Sequence, residues 1–365
     1  MRRPAVALAC TLAALATVPA ARALELGLQD DRLFLGPPIT ADAAPGISPA
    51  HGLALARAVG ATTLRMNVRW AAVTVGRERY DLSRYEIAVD AALAAGLRVQ
   101  LTLTGPAPAW ATADGRVGNR APDAGAFGRF AATVATALRG RVARYAVWNE
   151  PNWRGLLTPR RRAPVLYRGL YRAAWSAVRG ADPGARVLFG ELAPMGAPED
   201  ATSPLGFLRA ATCTNRRWRA VRRCAPLRAD GFAVHPYTLR WRPGFPGRSG
   251  DDVTTGSLPR LDRGLGRLAA RGALSTRRGR ALPVYLTEWG WHARSPSIPE
   301  PLRTWFMLGG LQLIAADPQV RQVVWYQLVG APDRPRPVWD TGLLAADGSP
   351  RPAYAALRRW AQGRG

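Results

Sequence analysis

The segment Tyr145-Ala146-Val147-Trp148-Asn149-Glu150-Pro151-Asn152 is an apolar, strand-like run that ends at a glutamate. A second segment, Val284-Tyr285-Leu286-Thr287-Glu288-Trp289-Gly290-Trp291, has the same pattern. Burial disfavours the charged form of a carboxyl group, so a glutamate at the end of a buried strand costs free energy unless the protein uses it. Two such glutamates in matching positions predict a fold that brings two carboxyl groups together at strand ends.

Eight segments read as strands, and they are near-continuous apolar runs, as strands covered on both faces are. They lie at residues 24–28, 63–68, 98–103, 143–148, 186–189, 231–234, 283–287 and 322–327. Helical patterns follow at residues 49–59, 82–95, 123–139, 163–179, 258–271, 301–316 and 352–360. Repeated strand–helix units of this number predict an α/β fold, a closed (β/α)8 TIM barrel. A doubly wound open sheet is the alternative, but no Gly-rich phosphate loop follows the first strand.

The start of the chain has the composition of a secretory signal peptide. Met1-Arg2-Arg3 is basic, residues 5–20 are apolar and uncharged, and Ala21-Arg22-Ala23 is a small-x-small cleavage site. We therefore expect cleavage after Ala23, a secreted protein, and one domain over residues 24–365. A membrane anchor is the alternative, but the apolar stretch is shorter than the roughly 20 residues a span needs, so we expect no stable membrane insertion.

The chain is strongly basic, with a formal net charge of +26, and contains no lysine, so all 51 basic residues are arginine. The arginines are scattered, and no zinc, helix-turn-helix or RNA-binding signature accompanies them, which argues against nucleic acid as a partner. The charge favours instead a salt-sensitive association with anionic polymers or an anionic cell envelope.

Two cysteines, Cys213 and Cys224, lie outside the signal peptide. In an exported chain they predict one disulfide that closes a short, arginine-rich loop, and a pair of free thiols is the alternative. Neither cysteine lies in a metal-ligand pattern, and the three histidines form no His/Cys cluster. We therefore expect no metal and no cofactor.

A pair of carboxyl groups is what glycoside hydrolysis requires, because one protonates the departing oxygen while the other acts on the opposite side of the sugar. When the groups are about 5 Å apart, the second attacks directly and anomeric configuration is retained. An apolar surround that includes Trp148 would keep Glu150 protonated as the acid. Arg65 on the second strand would hold Glu288 as a carboxylate, and Tyr237 is placed to donate a hydrogen bond to it.

Trp-Asn-Glu-Pro-Asn ending one strand and Thr-Glu-Trp-Gly ending a later one resemble the retaining glycoside hydrolases of clan A, with family 39 slightly favoured over family 5. The resemblance covers nearly the whole mature chain and includes the segments at residues 64–70, 107–111, 234–237, 325–326 and 351–354. It implies a TIM barrel in which Glu150 is the acid/base and Glu288 the nucleophile.

The resemblance also implies substrate-binding residues. Asn149 would bond the sugar 2-hydroxyl, His235 and Tyr237 would line the site beside Glu288, and Trp325 would form a stacking floor for the sugar ring. Core roles are the alternatives: a satisfied buried histidine at position 235, an interior ion pair for Arg65 and plain packing for Trp325.

Four further tryptophans are candidate sugar platforms: Trp110, Trp153, Trp289 and Trp291. Trp110, which follows the third strand, is the one that we include in the expected site.

The expected activity is that of a secreted O-glycosyl hydrolase that cleaves a poly- or oligosaccharide by a two-glutamate double displacement. One alternative is a carbohydrate-binding or cell-envelope protein on the same barrel that has lost catalysis, because fold does not fix function. Another is a transglycosylase, which uses the same residues but transfers the sugar to an acceptor other than water.

Overall fold

The structure, a computed structural model, describes residues 24–37, 39–40, 46–197, 199–293, 298–331 and 339–363. The predicted signal peptide, residues 1–23, lies outside the described residues. Eight parallel strands close into a barrel in which neighbours in the chain are neighbours in space, and the last strand pairs with the first. The strands β1 to β8 are Glu25–Gln29, Thr63–Arg69, Arg98–Thr104, Arg144–Val147, Arg186–Leu192, Gly231–Val234, Val284–Trp289 and Val320–Tyr326. The predicted (β/α)8 TIM barrel is confirmed.

A helix follows every strand and covers the outside of the barrel. The helices α1 to α8 are Pro49–Ala58, Ser83–Ala94, Ala124–Ala137, Ala163–Ala181, Pro204–Ala211, Leu258–Ala270, Glu300–Ala316 and Pro352–Gln362. Six of the eight carry proline in their first two positions, where the missing N–H has no intrahelical partner to lose.

Helix α5 is an element that the sequence analysis did not predict. Its eight residues bury Leu205, Phe207 and Leu208, which is a run too short to show a clear helical period. It fills the position after β5, for which no helix was predicted.

The barrel interior combines a small apolar cluster with buried polar side chains. The cluster contains Ala146, Leu188, Ala233 and Tyr285, one residue from each of four successive strands. The buried polar side chains include Gln29, Arg65, Thr102 and Thr287. Since buried polar groups need hydrogen-bond partners, these side chains are expected to form a hydrogen-bond network inside the barrel.

Cys213 and Cys224 form a disulfide just after α5, with their Cα atoms 6.3 Å apart. The pairing agrees with the prediction of one disulfide. Among the described residues, no helix is both long enough and apolar enough to cross a bilayer.

Candidate active site

The carboxyl ends of the strands surround a cleft of about 590 Å³. Glu150, three residues beyond the end of β4, and Glu288, within β7, both line it. Asn149 and Tyr237 also line the cleft, whereas His235 and Arg65 lie buried beneath it. The barrel therefore brings together two glutamates that are far apart in the chain, at the end where barrel enzymes place their active sites.

Arg65 is the cation beneath Glu288. Its Nη1 lies 2.7 Å from Glu288 Oε1, its Nε donates to Thr102 Oγ1 at 3.1 Å, and its Nη2 donates to Asn149 Oδ1 at 3.3 Å. Burial alone lowers the pKa of Arg65, but the carboxylates of Glu191 and Glu288 outweigh it, so the pKa is raised. Arg65 is therefore a permanent charge that stabilises the carboxylate form of Glu288.

The second oxygen of Glu288 faces Tyr237, as the sequence predicted. The Tyr237 hydroxyl donates to Glu288 Oε2 over 3.4 Å. Burial and the Glu288 charge both raise the pKa of Tyr237. The phenol therefore stays protonated and acts as a hydrogen-bond donor at the carboxylate.

His235 lies fully buried among three glutamates. Its Nδ1 is 3.0 Å from Glu150 Oε1 and 3.7 Å from Glu288 Oε2, and its Nε2 is 3.1 Å from Glu191 Oε2. Burial lowers the pKa of His235, but Glu288, Glu150 and Glu191 together raise it to about 10. At neutral pH the ring is an imidazolium that donates from both nitrogens.

The contact with His235 corrects one expectation about Glu150. The sequence suggested an apolar surround, but Glu150 Oε1 has a charged imidazolium as its neighbour. Trp148, which was expected to supply that surround, points its indole Nε1 to the Leu156 carbonyl at 2.6 Å.

Glu191 is a functional candidate that the sequence analysis missed. Its side chain is completely buried and accepts hydrogen bonds from Arg65 and His235. Burial by itself raises the pKa of Glu191, but Arg65 and then His235 outweigh it and hold the pKa at about 2. The signal was present, since Phe189-Gly190-Glu191 is a third strand end with a glutamate, but the predicted strand stopped at Phe189.

Bulges in two strands direct these side chains. Between Gly190 and Leu192, β5 has one residue more than its partner β6, and the extra residue is Glu191. A similar irregularity occurs in β7 between Leu286 and Trp289, the segment that carries Glu288. Because a bulge breaks the two-residue alternation of a strand, it can turn a side chain toward a site.

The backbone at the ends of β4 and β5 adopts unusual conformations. Trp148, Glu150 and Glu191 have φ angles of 64°, 43° and 53°, a region that residues other than glycine rarely occupy. The Glu150 N–H donates to the Glu191 carbonyl at 2.9 Å, which ties the two segments together. Such strain concentrates where a fold must hold functional groups in place.

The tryptophans of the site agree only in part with those that the sequence suggested, since Trp153 was a candidate and Trp339 was not. Trp325 is buried, donates to the Thr341 carbonyl at 2.9 Å and packs edge-on against Trp289, so it belongs to the core and does not form the cleft floor. Trp153 and Trp339, 46% and 41% exposed, line the cleft instead.

Trp110 also lies outside the cleft. Its ring packs edge-on against Trp70, with the Arg77 guanidinium 5.6 Å from its centroid, beside a separate surface hollow. Two predicted sugar platforms are thus assigned elsewhere by the structure.

Within the described ranges, no group of three or more His, Cys, Asp or Glu side chains is arranged to hold a metal ion.

The chain resembles solved glycosidase structures over more than nine tenths of its length. A family 39 glycoside hydrolase from the gut symbiont Bacteroides cellulosilyticus WH2 superposes with a TM-score of 0.67 at 20% identity, covering 93% of this chain and 64% of that one. The exo-β-1,4-mannosidase Op5Man5 from Opitutaceae bacterium strain TAV5 gives 0.63 at 19% identity, covering 93% and 59%. The fold is that of the clan A glycoside hydrolases.

A family 39 β-xylosidase from Caulobacter crescentus superposes with a TM-score of 0.62 at 18% identity, covering 94% of this chain and 72% of the xylosidase. The chain thus spans less than two thirds of the length of the first two relatives. Its sequence matches no protein-family model and no curated protein. The predicted resemblance to clan A is confirmed for the barrel.

Proposed function

We propose that this chain is a secreted glycoside hydrolase that retains anomeric configuration, with Glu288 as nucleophile and Glu150 as acid/base. The observation that carries the proposal is the position of His235 between the two carboxyl groups. Its Nδ1 distances limit the separation of Glu150 Oε1 from Glu288 Oε2 to less than about 7 Å. That limit fits the ~5–5.5 Å spacing of retaining enzymes and only touches the lower end of the ~6.5–9.5 Å of inverting ones.

In the first step, Glu288 Oε attacks the anomeric carbon and the bond from that carbon to the leaving oxygen breaks. Glu150 gives its proton to that oxygen, so the leaving group departs as a neutral alcohol and Glu150 becomes a carboxylate. As Glu288 forms the ester it loses its negative charge, so its interactions with Arg65 and Tyr237 weaken. His235 stabilises the new Glu150 carboxylate.

In the second step, Glu150 accepts a proton from water and the water oxygen attacks the anomeric carbon. The ester bond breaks, and Glu288 recovers its electron pair beside Arg65 and Tyr237. A saccharide hydroxyl in place of water would give transglycosylation with the same residues. Asn149, held by Arg65, is positioned at the cleft to contact the sugar.

Groups that can balance the charges of both steps surround the two glutamates. Arg65 pairs with Glu191 and Glu288, and His235 contacts Glu191 and Glu150. A charge that appears on either glutamate during the reaction therefore has a cationic neighbour.

The test combines trapping with variants. Activated 2-fluoro sugars trap the glycosyl-enzyme of retaining enzymes, so incubation with a panel of them followed by peptide mass spectrometry should give an adduct on Glu288. With aryl glycosides, Glu288→Ala should lose at least about 10³-fold in kcat/KM. Glu150→Ala should lose less on substrates with good leaving groups, which need little protonation.

Glu86→Ala, a glutamate substitution on α2, is the matched control and should keep full activity. Full activity in both active-site variants, or an adduct on a different residue, would contradict the assignment. Binding of glycans without turnover would indicate the carbohydrate-binding alternative.

A further inference from the structure

The charges that line the cleft are not balanced among themselves. The cleft carboxylates each have a cationic partner: Glu288 has Arg65 at 2.7 Å, Glu150 has His235 at 3.0 Å and Asp200 has Arg154 at 3.0 Å. Two further cations, Arg69 and Arg248, line the same cleft. Neither forms an ion pair within 4.0 Å among the residues that the structure describes.

Arg69 is the more informative of the two because its side chain is partly buried, whereas Arg248 is exposed. Arg69 ends β2 four residues after Arg65, and alternation along the strand directs both side chains to the same face. Four residues of strand span ~13 Å, so Arg69 lies nearer the mouth of the barrel than the cation beneath Glu288.

Asp31 interacts electrostatically with Arg69, but it forms no ion pair with Arg69 within 4.0 Å. The Asp31 carboxylate instead accepts hydrogen bonds from the Asn67 main chain at 3.2 Å and side chain at 2.9 Å. Arg69 therefore lines the cleft with no carboxylate paired to its guanidinium in the described part of the chain. A partly desolvated guanidinium in that situation is stabilised by an anion that enters from solution.

We propose that the cleft binds an acidic saccharide, with a uronate carboxylate held by Arg69 and Arg248 drawing the polymer to the entrance. The proposal rests on the glycosidase function above and names its substrate class. The planar guanidinium matches a carboxylate with two parallel hydrogen bonds, which favours a uronate over a tetrahedral sulfate ester. An acidic substrate would also account for part of the strongly basic character of the chain.

The test compares ligands that differ only in charge. Short oligomers of galacturonate, glucuronate and mannuronate, and their methyl esters, are titrated into the wild-type protein at 150 mM salt by calorimetry. Chromatography of the recovered ligand reports turnover separately. Sulfated neutral oligosaccharides form a further arm. We expect at least one acidic oligomer to bind about 10-fold or more tightly than its methyl ester.

The variants locate that preference. Arg69→Met removes the charge but keeps the bulk of the side chain, and leaves the Arg69 main-chain N–H donating to the Tyr85 hydroxyl at 3.3 Å. It should lower affinity for the acidic oligomer about 10-fold while changing affinity for the ester less than about 2-fold. Arg277→Met, in the loop that precedes β7 at the opposite end of the barrel, loses the same net charge and should retain the preference.

Several outcomes overturn the inference. Equal binding of acids and esters, an unchanged preference in Arg69→Met, or an equal loss in Arg277→Met would each do so, as would a preference for the sulfated arm. Turnover of neutral oligosaccharides with no charge preference would leave the glycosidase proposal intact and reject the substrate class. Tight, Arg69-dependent binding without turnover would support the acidic ligand class and argue against the glycosidase proposal. Thermal melting of each variant confirms folding.

Discussion

Glu191 and His235 form a fully buried pair, with Glu191 Oε2 3.1 Å from His235 Nε2. Neither side chain reaches the cleft surface, yet the pair links the two proposed catalytic groups. On one side His235 contacts Glu150, and on the other Glu191 contacts Arg65, which holds Glu288. The pair is therefore placed to influence both proposed catalytic glutamates without touching the substrate.

Glu191→Gln tests this role with little change in shape. Because the substitution removes the carboxylate that faces Nε2, the pKa of His235 should fall from about 10 toward its ordinary value near 6.5. NMR titration of the imidazole measures it, with His51 as an internal reference. We expect kcat/KM to fall about 10-fold or more with a displaced pH profile, whereas Glu86→Gln should change neither. An unchanged His235 titration would show that Glu191 is not the group that holds its proton.

The pH dependence of stability follows from the same pair. The folded-state pKa of His235 exceeds its ordinary value of 6.5, so its protonation stabilises the native state below pH 6.5, and this contribution is lost as pH rises toward 10. The pKa of Glu191 is depressed from 4.5 to about 2, so its contribution is present above pH 4.5 and is lost as pH falls toward 2.

Urea unfolding between pH 6 and 10 measures the His235 contribution. The free energy of unfolding should decline with a slope of up to about 1.4 kcal/mol per pH unit. His235→Gln cannot titrate and should show a shallower decline. Parallel curves for the two proteins would mean that other groups govern the pH dependence.

Trp339→Ala should weaken saccharide binding. Trp339 makes edge-on contacts with Tyr237 and His292, with ring centroids 5.8 Å and 5.6 Å apart. It is still 41% exposed in the cleft, so part of its ring is available to a sugar. Loss of that apolar platform should raise KM about 5- to 10-fold with a smaller effect on kcat. Trp305→Ala on α7, where the ring is 62% exposed, is the control and should leave KM unchanged.

Gly190→Ala should destabilise the protein through the backbone that positions Glu191. A Cβ at this residue would lie 2.3 Å from the Ala233 carbonyl oxygen, and its φ of +122° disfavours any side chain. We expect a loss of more than about 2 kcal/mol in unfolding free energy by urea denaturation. Gly266→Ala in α6, where a Cβ meets no atom within 4 Å, should instead be neutral or stabilise by about 0.5–1 kcal/mol.

Removal of the disulfide should lower stability moderately. Cys213 and Cys224 are 11 residues apart, and closing a loop of that size contributes about 2–3 kcal/mol in the chain-entropy account. The double variant with alanine at both positions should melt at a lower temperature than the oxidised protein. A reductant should lower the melting temperature of the wild type and leave that of the variant unchanged, and equal sensitivity would argue against the bond.

Much of the barrel could be predicted because its signals are local. All eight strands are apolar runs within two residues of their predicted starts, and seven helices show the helical period. Helix α5 was not predicted because it is too short to show a clear helical period. The two glutamates were recognisable because each follows an apolar strand, but Glu191 was missed because the predicted strand ended at Phe189.

The tryptophans show that local sequence patterns do not decide which face of a strand a side chain occupies. Trp325 and Tyr326 are adjacent on β8, so they point to opposite faces, and a shift of one residue exchanges core for cleft. In a strand that is apolar on both faces, the sequence carries no record of which residue faces inward. The structure places Tyr326 at the cleft and Trp325 in the core.

The sequence by itself determined the repeated strand–helix units and the two strand-end glutamates, because apolar periodicity and turn chemistry depend on neighbours in the chain. Only the tertiary structure decided that His235 lies between Glu150 and Glu191 and that Arg65 lies beneath Glu288. It also decided that Arg69 lines the cleft with no ion-pair partner among the described residues. Those relationships depend on closure of the barrel and on single-residue bulges, which set distances between residues that are remote in sequence.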